Sequence, residues 1–147
     1  MMEFDEASIF LGIDFGTKRI GIASGQKITA TATPLKTLAA KNGVPCWEEL
    51  DKIIVEWHPA ALIVGVPVDL DGREHWVTKA AEKFIEKLKV RYNLPVFGVN
   101  EQLTTKSAKE RVFAAGGYKS LQKEELDCIA AKLILEGWLS NIIKNEK

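Results

Sequence analysis

The stretch IFLGIDFGTKRIGIASG, residues 9–25, decides how this chain reads. Two apolar runs, Ile9–Phe15 and Arg19–Ser24, are joined by a short Gly-Thr-Lys turn, which predicts two strands of an antiparallel hairpin. One carboxylate, Asp14, stands inside the first run. A charge set into an apolar strand is costly unless something pairs with it. Asp14 therefore either pairs with the nearby Lys18 or Arg19 (or caps the turn), or it ligates a metal or a phosphate.

Outward from the hairpin, strands and helices alternate. Ile28–Thr33 reads as a third strand ended by Pro34. Trp47, Leu50, Ile53, Ile54 and Trp57 recur at helical spacing, giving a helix over about 46–57. Ala61–Val66 is wholly apolar, as a strand buried on both faces must be. Pro67–Arg73 is a loop with an Asp-Gly turn. Val77, Ala80, Ala81, Phe84, Ile85 and Leu88 mark a second helix. Pro95–Asn100 is another buried strand, followed by a helix from Thr104 to Ala115, a Gly116-Gly117 break, and a last helix over 123–143. Strands alternating with helices imply right-handed parallel crossovers. The expected class is α/β: a five-stranded mixed sheet, three antiparallel strands and then parallel ones, with helices on both faces. The expected organisation is a single domain over 1–147. In such sheets the working loops follow the carboxyl ends of the parallel strands, here 67–73 and 101–104.

Composition narrows the function classes. Apolar residues make up 46% and charged residues 27%, an ordinary globular balance. Twenty basic and twenty acidic side chains cancel, so any polyanion site must be a local patch. The longest apolar run, 60–68, is far short of the roughly 20 residues that span a bilayer. The acidic start, Met-Met-Glu-Phe-Asp-Glu, is unlike the basic start of a secretory signal. Cys46 and Cys128 lack metal-type spacing and read as reduced thiols of a cytoplasmic protein.

Two further acids stand out. Glu101 follows the strand Val96–Asn100, where a parallel strand hands over to its loop; alone it could equally be a solvated acid beside the N-cap of the next helix. Asp127 lies near the start of the last helix, where acids ordinarily complement the helix dipole. Its phase sets it apart from Glu124 and Glu125, because Ala130, Ala131, Ile134 and Trp138 lie on the same stripe. That stripe should pack inward, and the Ala pair lets the helix approach the sheet closely. Asp14, Glu101 and Asp127 could thus converge on one point. Clustered carboxylates favour hard cations, Mg²⁺ or Mn²⁺, and two such ions about 4 Å apart serve phosphodiester cleavage. His58 and His75 are too few for a zinc centre. The chain has no Walker A sequence, no Gly-x-Ser-x-Gly and no GxGxxG.

The run from Asp14 to Ala23 resembles the opening motif of the YqgF/RuvX family. So do Ala32-Thr33-Pro34-Leu35, Gly65-Val66-Pro67 with Asp71-Gly72, the stretch from Asn100 to Ala108 and the stretch from Asp127 to Leu135. The resemblance covers nearly the whole chain in the right order. It implies an RNase H-like fold related to the RuvC Holliday junction resolvase. It implies a metal-dependent endonuclease that processes the 5′ end of precursor 16S ribosomal RNA or, alternatively, resolves Holliday junctions in DNA. The family's acidic triad falls on Asp14, Glu101 and Asp127, as catalytic residues and metal ligands together. One departure is Asn100-Glu101-Gln102, where the family usually reads Asp-Glu-Arg. An arginine there could hold a scissile phosphate or pair with an acid, as a bidentate fork that Gln cannot replace.

Lys18, Arg19, Arg73 and Lys106 (with Lys109) are the candidate nucleic-acid contacts, each equally readable as a solvated charge. The expected partner is precursor rRNA or branched DNA, with no membrane. RuvC-like resolvases cut as dimers, so a homodimer stays open; Trp138 and Ile142 mark where it would form, though packing within the domain explains them equally. Two rival classes remain. The first hairpin alone also fits an ATPase of the actin and hexokinase type, but that site needs two such domains. A catalytically weak nucleic-acid-binding relative fits the Asn100 and Gln102 replacements.

Overall fold

The computed structural model describes residues 4–66, 76–100 and 123–145. Six strands form one sheet: β1 (Ile9–Asp14), β2 (Arg19–Gln26), β3 (Thr31–Lys41), β4 (Val44–Pro45), β5 (Ala61–Val66) and β6 (Val96–Asn100). Their spatial order is β4-β3-β2-β1-β5-β6. β1 to β4 meander antiparallel, while β5 and β6 run parallel to β1. The helices are α1 (Trp47–Trp57), α2 (Trp76–Tyr92) and α3 (Lys123–Asn145).

The sheet has six strands rather than five, and Pro34 does not end the third. β3 begins at Thr31, after a turn in which Ala30 takes φ 54°, and runs through Pro34 to Lys41. A register shift opposite Ile22/Ala23 absorbs the proline. β4 pairs only with Ala40 and Lys41, so β3 is a free edge at Pro34, where a missing N–H costs no ladder bond. The extra length lets the chain turn back at Asn42-Gly43 and add β4. The expected helix over 104–115, the 67–73 loop and the Gly116-Gly117 break lie outside the described residues.

Strand alternation divides the core into two layers. Leu11, Ile13, Ile20, Ile22, Leu62 and Val64 face α1 and α2, where Leu50, Ile53, Ala81, Phe84 and Leu88 meet them. Phe10, Ala61 and Ile63 face α3, against Ile134, Leu135 and Leu139. β1 and β5, buried along nearly their whole length, read as continuous apolar runs because both faces are covered. α1 ends at His58, whose left-handed conformation lets its N–H reach the Ile54 carbonyl before Pro59 stops the helix. Trp138 lies against Phe10 at 5.2 Å and Phe97 at 5.4 Å, the packing role within the domain.

Candidate metal and nucleic-acid site

Asp14 is the last residue of β1, at the carboxyl end of the parallel strands. Its neighbours across the sheet are Gly21 on β2 and Gly65 on β5, and Gly21 in turn pairs with Thr37 on β3. Neither strand neighbour of Asp14 carries a side chain, so the carboxylate has room in its row. Phe10 and Gly12 face α3, and alternation puts Asp14 on that same side.

α3 descends on this row. A Cβ at Gly21 would run into the Asp127 carbonyl, and one at Gly12 would sit 2.7 Å from both the Ala131 carbonyl and the Leu135 Cβ. Glycine at both positions is what lets the helix backbone touch the sheet. The stripe read from sequence holds: Asp127, Ala130, Ala131 and Ile134 are all buried. Cys128 Sγ lies 2.9 Å from Thr37 Oγ1, fixing the first turns of α3 over β3. Asp14 and Asp127 are therefore buried carboxylates on one side of the sheet, 6% and 8% exposed, with Gly21 between them.

Arg19 completes the geometry. It opens β2, and its Nε donates to Asp127 Oδ2 at 2.8 Å across 108 residues of chain. The sequence suggested Arg19 or Lys18 as a partner for Asp14 and as a phosphate contact; the ion pair formed is with Asp127. No local signal could have revealed it, because the pairing depends on how α3 lands. Arg19 uses only Nε here, and its side chain is 36% exposed. Its two Nη groups make no hydrogen bond among the described residues. Lys18 is exposed on the β1–β2 turn beside it.

β6 leaves the sheet at Asn100, in register with Val66 and so at the Asp14 end. Glu101, Gln102, Arg73, Lys106, Lys109 and His75 lie outside the described residues. Among the described residues no group of three acids, histidines or cysteines forms a metal cluster. Cys46 is exposed at the start of α1, Cys128 is buried, and both are free thiols. No described helix is long and apolar enough to cross a membrane.

The model of the family described as "RuvX: Holliday junction resolvase" matches residues 8–141. A protein of Legionella pneumophila (strain Philadelphia 1) named "Putative pre-16S rRNA nuclease" is 49% identical over 131 residues, covering 89% of this chain and 94% of its own. A Shewanella oneidensis protein of the same name is 47% identical over 135 residues, 92% of this chain and 96% of its own. Among solved structures, Thermus thermophilus RuvC in complex with Holliday junction substrate superposes with a TM-score of 0.55 at 13% identity, covering 93% of this chain and 96% of that one. The Fowlpox virus resolvase with its Holliday junction DNA gives 0.54 at 16% identity, over 92% and 99%. At such identities the likeness is one of fold, and the fold is the RNase H-like one.

Proposed function

The chain belongs to the RuvX family of Holliday junction resolvases, and from that premise we propose that it is a metal-dependent endonuclease acting on precursor 16S rRNA. One observation carries the reading: two buried carboxylates, Asp14 and Asp127, stand on the same side of the sheet over a glycine row. Asp127 is paired with Arg19; carboxylates gathered at one end of the sheet favour a shared cation, and their hard oxygen atoms suit Mg²⁺ or Mn²⁺. Asp14 and Asp127 would hold the ions together with Glu101, whose strand leaves the sheet at the same end. Phe97 and Val99 pack on the α3 side, and the reading requires the alternation of β6 to carry one residue further. When bound, such ions neutralise the scissile phosphate and make water a competent nucleophile near neutral pH.

The chain's own residues do the rest. Arg19 Nε fixes the orientation of Asp127, and its Nη donors reach a phosphate next to it, supplying part of what Gln102 no longer does. Lys18 adds a second positive charge on the same turn. Asp14 is held by the rigid central strand rather than a loop, so its geometry survives without ligand.

The test is cleavage of a precursor-rRNA 5′ fragment by the purified protein with Mg²⁺ or Mn²⁺, beside a four-way DNA junction and ATP. Metal-dependent cutting of the RNA that falls roughly 100-fold or more in Asp14→Asn is expected. RNA binding without cleavage, unchanged in Asp14→Asn, overturns the nuclease reading. Preferential cutting of the junction supports the second reading, a resolvase, which the family's own description favours. In that case two symmetric cuts demand a dimer, measurable by sedimentation.

A further inference from the structure

The opposite side of the sheet carries a feature that the acidic centre does not use. α2 bears Lys79, Lys83 and Lys87 at four-residue intervals, which stacks them along one face about 6 Å apart. All three are exposed, and among the described residues no carboxylate lies within ion-pair distance of any of them. Glu86 turns instead to Lys89, at 3.5 Å. Beside the lysines runs a groove of about 570 Å³, walled by the turn at Gly43 and floored by Trp47 and Phe84. A further groove of about 470 Å³ continues past Lys87. Glu82 and Glu86 stand beside the lysines on the helix surface, and Glu86 also lines the groove past Lys87 together with Arg91.

The groove opens at the end of the sheet where Asp14 lies. The Gly43 N–H donates to the Thr17 carbonyl at 3.0 Å, tying the groove wall to the β1–β2 turn. The Phe84 ring sits 5.2 Å from that of Phe15, the residue after Asp14. Exposed Lys18 stands on the turn between. A chain passing from the Asp14 side of the sheet toward the lysine row would cross the turn that carries Lys18.

We propose that Lys79, Lys83 and Lys87 form a phosphate rail that holds one single-stranded segment of the RNA substrate as it leaves the acidic centre, an inference that takes its substrate from the nuclease reading above. A single line of cations beside a narrow, apolar-floored groove fits one backbone with its bases turned to the floor. A duplex presents two backbones and finds only one rail.

The experiment measures equilibrium binding by the full-length protein, in EDTA, of a fluorescent single-stranded RNA long enough to span both regions, across a salt series. The wild type is compared with K79Q/K83Q/K87Q and K79E/K83E/K87E, each checked for native circular dichroism and melting. Each phosphate contact on a single strand contributes about 0.7 to the slope of log K against log salt, so losing three lowers the slope by about 2. Affinity at 0.1 M salt falls at least about tenfold in the Gln variant and further in the Glu variant. An unchanged slope and affinity in a natively folded Gln variant overturns the proposal, as does a loss seen on blunt duplex and absent on single strands. A wild type that binds through the rail yet never cuts removes the nuclease reading and leaves the rail standing.

Discussion

The two faces of this sheet are built to opposite ends. On the α1/α2 side, Leu50, Leu62, Phe84 and Leu88 are all at most 2% exposed, and large side chains set the spacing between layers. On the α3 side at the Asp14 end, bulk is removed: Gly12, Gly21, Ala130 and Ala131 bring helix backbone onto strand backbone. The first arrangement gains apolar burial, roughly 25 cal/mol per Å². The second gives that up to set two carboxylates and an arginine in a fixed row. On the reading proposed above, stability and chemistry are divided between faces of one sheet, and substitutions should separate them.

The largest effect on stability is expected on the packed face. Leu50→Ala leaves a cavity between α1 and the sheet and should cost about 2–5 kcal/mol in denaturant unfolding. Cleavage per folded molecule should be retained, since Leu50 touches nothing in the site. A loss of turnover in the folded fraction would show that the faces are not independent.

Gly21→Ala attacks the other face. Its methyl meets the Asp127 carbonyl, so α3 must shift, at a cost of about 1–3 kcal/mol. Here activity should fall by more than stability predicts, because Asp127 moves with the helix. Equal turnover in a destabilised Gly21→Ala would mean that the close approach serves packing alone. Arg19→Met should have a smaller effect. Loss of the Nε contact loosens the Asp127 carboxylate and should reduce cleavage about tenfold, with a melting temperature that also falls, because the arginine is removed from a carboxylate whose side chain is only 11% exposed. Arg19→Lys restores the charge without the Nε geometry and should recover only part of the rate.

The same division explains what the sequence made legible. Asp127 could be singled out because helical phase put it on a stripe with Ala130, Ala131 and Ile134, and Asp14 because a charge interrupts an apolar strand. Periodicity also fixed β5 and α1 to within a residue of their observed bounds and placed α2, whose marked residues Val77–Leu88 stop four short of its end at Tyr92. What escaped depended on contacts distant in sequence. Pro34 reads as a strand end, yet is tolerated where β3 has no outer neighbour, and that follows only from how far β4 extends. Arg19 sits nearer to Asp14 in sequence than to Asp127, and local reasoning pairs it accordingly. The Thr37–Cys128 contact likewise joins residues 91 apart. Glu101, by contrast, rests on its place after β6 and on the resemblance to the family's triad.

The smallest predicted effect lies far from the acids and sharpens the contrast between charge used for structure and charge used for chemistry. Asp51 on α1 accepts from Arg91 Nε at 2.8 Å and Nη2 at 2.6 Å, and from the Tyr92 hydroxyl at 2.7 Å. The bond from Arg91 first, and then that from Tyr92, lowers the Asp51 carboxyl from 3.8 to about 2. The folded protein therefore stays ionised where the unfolded chain has taken up a proton. The contribution is complete above the ordinary carboxyl range and is lost as pH falls from about 4 toward 2. Burial, and then the bond to Asp51, pushes the Tyr92 hydroxyl above its ordinary 10.0, so stability also declines once the unfolded chain ionises above that value. Asp51→Asn should flatten the acid limb of a melting-temperature profile while leaving the neutral region nearly unmoved, since the pair is solvent-exposed and screened. It should leave cleavage unchanged at neutral pH. An acid limb as steep in Asp51→Asn as in the wild type would place the titrating groups elsewhere.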